Sequence, residues 1–235
     1  MIVASFTRLR RIGCVVALAW TGLFAGTSLA QPALELQSVE IAAGVYAVIG
    51  DLGPQTYENH GFNANLGFVV GSGGVLVIDS GPSRLVAQAL HRVIRAVTDR
   101  PVRWVVNTNS QANRWLGNDY FTELGATILA HREAVRLMRD IGGTQLEGAE
   151  RLLRDRAAGT RLAFPANALE GKHTLDLGGR QVELMYFGPA HTPGDMMVWL
   201  PREEIAYAGD IVYTERLLAL LPVGNLSGWL KAFDA

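Results

Sequence analysis

The sequence predicts a layered α/β domain, and three observations carry that prediction. Short apolar runs bounded by glycine, proline and asparagine alternate with longer segments of helical period. The two halves of the chain repeat this interleaving, which suits helices covering sheets with the inter-strand loops gathered on one edge. About 205 residues follow a separable leader, enough for one domain with a sizeable core.

The leader comes first in chain order. Arg8, Arg10 and Arg11 precede an apolar run from Ile12 to Ala25, which is too short to span a bilayer comfortably. Ser28-Leu29-Ala30 is a small-x-small site, so residues 1–30 read as a signal peptide cut before Gln31, with a retained anchor helix as the lesser reading. Cys14 opens the apolar run instead of following a small-residue box at its end, which argues against lipid modification. It is the only cysteine, so the exported chain 31–235 forms no internal disulfide. Export without cysteine fits a periplasm, where disulfides are permitted but not required, and extracellular release stays open.

In the first half, Gly44 to Ile49 and Leu66 to Val70 read as strands flanking a polar loop from Asp51 to Asn63. Gly71-Ser72-Gly73-Gly74 is then a hairpin turn leading into the buried strand Val75 to Ile78. It lacks a P-loop lysine and precedes a strand, so it is not a phosphate cradle. From Pro82 to Thr98, Leu85, Val86, Leu90, Val93, Ile94 and Val97 recur at helical steps between Arg84, His91, Arg92 and Arg95, which predicts an amphipathic helix. Val102 to Val106 and Ala126 to Ala130 follow as strands, then His131 to Asp140 and Leu146 to Arg156 as two helices. In the second half the strands are Gln181 to Phe187, Met196 to Leu200 and Ile205 to Tyr207, separated by turns at Pro189, Pro193-Gly194 and Pro201. A last helix starts within Gly224 to Phe233.

Charge limits the partners. The whole chain carries a formal −1, and the leader holds three of its basic residues and no acid, so the exported part is more acidic still. No nucleic-acid partner is implied, and no membrane span remains after cleavage. A small-molecule ligand is the expected partner class; no protein partner is indicated.

The most informative segment is Thr108-Asn109-Ser110-Gln111-Ala112-Asn113-Arg114-Trp115-Leu116-Gly117-Asn118. Its frame resembles T-H-x-H-x-D-H-x-x-G-N, the metal-binding signature of the metallo-β-lactamase superfamily, with Asn109, Gln111, Asn113 and Arg114 at the ligand positions. Asn65 to Gly71 and Gly74 to Gly81 resemble the family's first hairpin and D-[ST]-G turn. Gly188-Pro189-Ala190-His191-Thr192-Pro193-Gly194-Asp195 resembles its G-x-x-H-T-x-G-D, and Ala208-Gly209-Asp210 its later G-D. Together these cover most of the chain from about Gly44 to Asp210, and the overall phrasing is most similar to exported quinoprotein relay system zinc metallohydrolases. The related thiosulfate-oxidation hydrolases are similar too. The resemblance implies an αββα sandwich and a setting near quinoprotein alcohol oxidation. It further implies that positions 109, 111 and 191 would hold one metal, and positions 113, 114 and a final histidine the other, with Asp210 bridging. That histidine stands in a P-G-H-G turn that does not occur before Ala235, so the expected domain is C-terminally truncated, without its closing strand and helix and with an open sheet edge.

Of those ligand positions only His191 and Asp210 keep ligating chemistry. Amide oxygens at Asn109, Gln111 and Asn113 are weak neutral donors for zinc, and a guanidinium has five N–H donors and no acceptor. The fixed charge of Arg114 would also repel the ion, by roughly 4 kcal/mol per unit-charge pair at about 4 Å and an effective dielectric near 20, doubled for a dication. Metal-bound water, whose pKa falls to roughly 7, is the family's nucleophile, and Asn113 lacks the carboxylate that would orient or deprotonate it. Arg114 is expected to turn toward Asp210 and neutralise it in place of a metal.

Asp79, in its D-[ST]-G turn, is expected to support the cleft by hydrogen bonds to backbone amides. His60 lies in the loop bordering the cleft and outranks His91, His131 and His173, whose places suggest structural roles. Trp104 and Trp115 flank the loop as packing residues first and a ligand platform second. The leading expectation is an inactive hydrolase homologue without a cofactor. The alternative is a zinc-dependent hydrolase of thioesters, lactones or related esters with a rebuilt site, either with one metal held by His191, Asp210 and His60 or with metal-free chemistry. An inactivated copy without a selected role is the third reading. No G-x-S-x-G elbow is present, so a serine hydrolase is excluded.

Overall fold

The computed structural model describes residues 34–235, so the leader predicted over 1–30 lies outside the described residues. The elements run β1 (Val39–Ala42), β2 (Val45–Val48), β3 (Leu66–Gly71), β4 (Gly74–Ile78), α1 (Arg84–Val97) and β5 (Val102–Val106). Then come α2 (Ala112–Trp115), α3 (Asn118–Glu123), β6 (Thr127–His131), α4 (Arg132–Leu153) and β7 (Asn167–Leu169). The chain closes with β8 (His173–Asp176), β9 (Gln181–Met185), β10 (Met197–Leu200), β11 (Ile205–Tyr207) and α5 (Leu226–Asp234).

Two sheets form, one of seven strands in the order β1 to β7 and one of four in the order β11-β10-β9-β8. The first four strands of the large sheet pair antiparallel, as hairpins allow, and β4 to β7 pair parallel because helices carry the crossovers. Strand alternation sends one set of side chains to each face. Val69, Leu76, Val106 and Leu129 meet Val182, Leu184, Val198 and Leu200 between the sheets. Phe68, Val75, Val77 and Val105 point the other way, onto Val86, Leu90 and Ile94 of α1 and Phe121 of α3. On the far side, Trp229 and Ala232 of α5 cover Ala190, Ile211 and Met197. The order of layers is therefore helix, sheet, sheet, helix, the predicted sandwich.

Helix α1 begins where expected because the Ser83 side chain accepts from the Val86 amide, capping its first turn. Other elements depart from the sequence reading. The two helices predicted over 131–140 and 146–156 are one, α4, running through Gly142-Gly143. Each glycine costs a helix about 1 kcal/mol, but a Cβ on Gly142 would stand 3.1 Å from the Trp115 ring and 3.3 Å from Phe164, so packing selects its absence. Helices α2 and α3 are too short to show a period, and β1, β7 and β8 too short or too polar to stand out as strands. His173 opens β8.

Gly117 shows how tightly the 108–118 loop is seated. Its Cα approaches the Ser80 carbonyl so closely that a Cβ would lie 2.2 Å from that oxygen and 2.8 Å from the Ala87 methyl. Gly117→Ala should lower stability by about 1–3 kcal/mol through overpacking, read as an earlier urea midpoint at unchanged slope.

Candidate functional site

The parallel strands β4 and β5 end side by side, and their following residues form the floor of a cleft at one edge of the sandwich. Asp79 follows β4 with a left-handed φ of 61°, a conformation that costs a non-glycine residue energy unless its surroundings impose it. Here they do. The Asp79 amide donates to the Val106 carbonyl at 2.8 Å, while its Oδ1 accepts from the Thr108 amide at 2.7 Å and its Oδ2 from the Thr108 hydroxyl at 2.8 Å. From the second sheet, the turn after β11 brings Asp210, and the turn after β9 brings His191. The Met196 amide donates to the Thr108 carbonyl at 2.7 Å and locks the two sheets together beside the site.

Arg114 occupies the centre. Its side chain is only 6% exposed. Nη2 donates to Asp210 Oδ1 at 2.7 Å and Nε to Asp210 Oδ2 at 3.1 Å, a bidentate pair. Nη1 donates to Asp79 Oδ2 at 2.8 Å and to the Asn65 carbonyl at 3.0 Å. Asp210 Oδ2 also accepts from Asn109 Nδ2 at 2.7 Å. The loop backbone that presents Arg114 is itself pinned, since its carbonyl accepts from the Ser80 amide and from Asn107 Nδ2, within a buried network closed by Asn118.

One guanidinium shared by two buried carboxylates serves them unequally. Burial pushes the Asp79 carboxyl up to about 6, with Arg114 and Thr108 pulling against it. Burial also acts on Asp210, but there the Arg114 charge and its two hydrogen bonds, with His191 and Asn109 adding, hold the carboxyl down to about 2. The same two carboxylates outweigh the effect of burial on Arg114 and raise it above the ordinary guanidinium range.

The sequence-predicted residues separate into those the fold brings together and those it does not. Asn109, Arg114, Asp210 and Asp79 form one hydrogen-bonded cluster. Asn113 turns its amide to Asn63 Oδ1 at 2.9 Å, and Gln111 caps α2 through its backbone position with no side-chain cap bond. His191 is fully buried, and neither ring nitrogen has a hydrogen-bond partner. Trp229 packs edge-on at 5.2 Å between ring centres, and Tyr213 lies at 6.1 Å. Burial lowers the His191 pKa, with Asp210 and the Ala219 backbone opposing.

His60 does not join them. It sits in a left-handed turn of the 51–63 loop, its amide bonded to the Tyr57 carbonyl, and that loop is tied by Tyr57 and Arg156 to the end of α4. Among the described residues no three His, Cys, Asp or Glu side chains converge as a metal-holding group, so the set His191, Asp210 and His60 is not assembled. His131 is buried, caps α4 and stacks on Tyr186 at 3.6 Å. His91, expected on the helix surface, is half-buried against the Tyr120 hydroxyl. Trp115 is core, with its indole N–H on Gln145.

The residues present do not fit a zinc ion. The volume beside Asp210 and Asp79 holds the three nitrogens of Arg114, all donors, and the other groups on the two carboxylates, Thr108 and the Asn109 carboxamide, are donors as well, so among the described residues no set of three ligating side chains surrounds an open place. On either side of this cluster the cleft opens into two hollows of about 520 and 570 Å3, which share Asn63, Asp210, Tyr213 and Arg216. Sequence reasoning missed Asn63, Asn65, Tyr213 and Arg216. Asn63 sits in a loop without a motif, and Asn65, although it opens the hairpin resemblance, contributes only its backbone carbonyl to the cluster. Nothing in the spacing of Tyr213 and Arg216 after Asp210 marks them.

Comparison with known proteins agrees with this architecture. Metallo-beta-lactamase type 2 of Bacteroides fragilis is 22% identical over 182 residues, which cover 71% of this chain and 63% of that protein. This chain thus spans less than two thirds of that relative's length. Among solved structures, the metallo-beta-lactamase from Pontibacter korlensis superposes with a TM-score of 0.69 at 19% identity, over 85% of this chain and 84% of that one. Metallo-beta-lactamase IND-7 does so at 0.67 and 18%, over 85% and 83%. The sequence model of the metallo-beta-lactamase superfamily matches residues 61–235. On that match, which takes in both sheets' contributions to the cleft, the chain belongs to the metallo-beta-lactamase superfamily.

Proposed function

We propose that this protein is a non-hydrolytic member of its superfamily, an exported periplasmic binding or accessory module that uses the family's cleft without the family's metal. The observation that carries the reading is the bidentate seat of Arg114 on Asp210. A cation supplied by the chain neutralises the carboxylate, and it offers no open coordination place at which a water could be activated. With Asn113 in place of a carboxylate, the position from which the family would orient or deprotonate that water carries no base. The quinoprotein setting implied by the sequence resemblance belongs to the same reading. The metal-holding form of the rebuilt-hydrolase alternative needs His60 beside His191 and Asp210, and among the described residues those three do not converge.

Hollows of this size suit a small molecule. Their shared lining offers the Asn63 carboxamide, the Tyr213 phenol and the Arg216 guanidinium. The ligand class we assign is therefore small and rich in hydrogen-bonding groups.

Metal analysis of the purified exported chain, equilibrated with zinc and then desalted, should find far less than one zinc per chain. β-Lactam, thioester and lactone substrates should show no turnover above buffer. One or more tightly held zinc ions together with turnover abolished by His191→Ala and Asp210→Ala would overturn the proposal. A thermal-shift panel of small polar compounds, neutral and charged, in which none stabilises the chain would overturn the ligand class alone.

A further inference from the structure

We infer that the oxygens around Arg114 form a guanidinium receptor, a binding site in its own right whose occupant this chain carries on a tether. The inference deepens the proposed function, with which it shares the premise that Arg114 neutralises Asp210. Four oxygens define the receptor: Asp210 Oδ1 and Oδ2, Asp79 Oδ2 and the Asn65 carbonyl, each 2.7 to 3.1 Å from a guanidinium nitrogen. They match the planar fork of a guanidinium. The bidentate carboxylate takes one edge, and the second carboxylate and the carbonyl share the adjacent N–H2 group.

The oxygens are held by groups other than Arg114. Asp79 stays in place through the amide and hydroxyl of Thr108, and Asp210 through Asn109 Nδ2. Asn65 is fixed by its place beside β3 and by its side chain, which accepts from the Gly50 amide at 3.0 Å. Removing the Arg114 side chain beyond Cβ should therefore leave the receptor standing and open to a free guanidinium ion.

Arg114→Ala is compared with the unsubstituted chain by thermal unfolding at pH 7.5, with guanidinium chloride titrated up to about 20 mM, far below denaturing levels, against sodium chloride at matched ionic strength. By mass action the variant should gain midpoint temperature saturably, by about 3–6 °C at ten times the dissociation constant, while the unsubstituted chain gains nothing. Should Arg114→Ala alone not fold, the double variant Arg114→Ala/Asp79→Asn removes one unpaired charge and keeps the bidentate edge, and it should show the same saturable gain. Calcium and zinc chlorides are tested in parallel. Absence of a saturable guanidinium effect in every variant that folds overturns the inference, as does stronger stabilisation by a divalent ion, which would make the pocket a general cation cage. These failures are separable from failure of the proposed function, because zinc retention and turnover are read on the unsubstituted chain.

Discussion

Arg114→Ala is expected to cost about 3–5 kcal/mol of stability at pH 7, the largest effect of any single substitution in the cleft. The magnitude comes from what is left behind. Asp79 is 1% exposed and Asp210 8% exposed, and without the guanidinium both carboxylates stay buried with neutral donors such as Thr108 and Asn109 and no cation. A buried ion pair need not stabilise a protein relative to an apolar replacement of the same shape, because desolvation offsets the attraction. Removing one member is a different matter, since the desolvation cost remains and the attraction does not. Urea unfolding at neutral pH measures the loss.

The pH dependence of that variant identifies the mechanism. Loss of the cation raises the folded-state pKa of both carboxylates, and a carboxyl raised above its unfolded value is less costly to bury once protonated. The deficit relative to the unsubstituted chain should therefore shrink as pH falls from 7 toward 5. A deficit of constant size across that range would mean that lost packing, and not unpaired charge, is the cause.

The same cluster shows how far the sequence could be read. Four positions in one loop, 109, 111, 113 and 114, pointed to the cleft because they stand in a recognisable frame, and the fold placed that loop over the ends of β4 and β5. The pairing of Arg114 with Asp210 was legible because a buried carboxylate needs a partner and the frame puts a cation nearby. The share taken by Asp79 was not. That contact depends on a left-handed residue at the end of β4 aiming its carboxylate inward, and no local pattern announces a positive φ at an aspartate. Nor could the sequence place His60, because a loop free of periodic structure gives no direction to its side chains. The division of α4 into two helices failed for a related reason. Gly142-Gly143 reads locally as a break, and only the Trp115 ring, brought from another element, makes a missing side chain an advantage.

Asp195→Asn should flatten the pH dependence of stability and raise stability at pH 8 by an amount on the order of 3 kcal/mol. Asp195 is 1% exposed, and its carboxylate accepts from the Thr192 amide at 2.6 Å and the Thr192 hydroxyl at 3.1 Å. Burial pushes its carboxyl up to about 7, with the Asp210 charge adding and Thr192 and Arg114 opposing. A carboxyl raised in the folded state binds a proton there at pH values where the unfolded chain has released it. Folding is therefore favoured most below the unfolded pKa, near 3.8, and that advantage is lost progressively as pH rises toward 7. Asp79, raised to about 6, acts in the same direction over a narrower window, whereas Asp210, held at about 2, contributes stability that disappears only as pH falls below about 4. Asparagine keeps an acceptor for the Thr192 amide but carries no charge to desolvate. The variant and the unsubstituted chain should thus agree near pH 4 and diverge progressively from there to about pH 7, above which the gap stays constant, with the variant the more stable. Urea midpoints measured from pH 4 to 8 that run parallel for the two proteins would show that Asp195 ionises as an ordinary carboxylate, leaving Asp79 as the one strongly raised acid beside the Arg114 cluster.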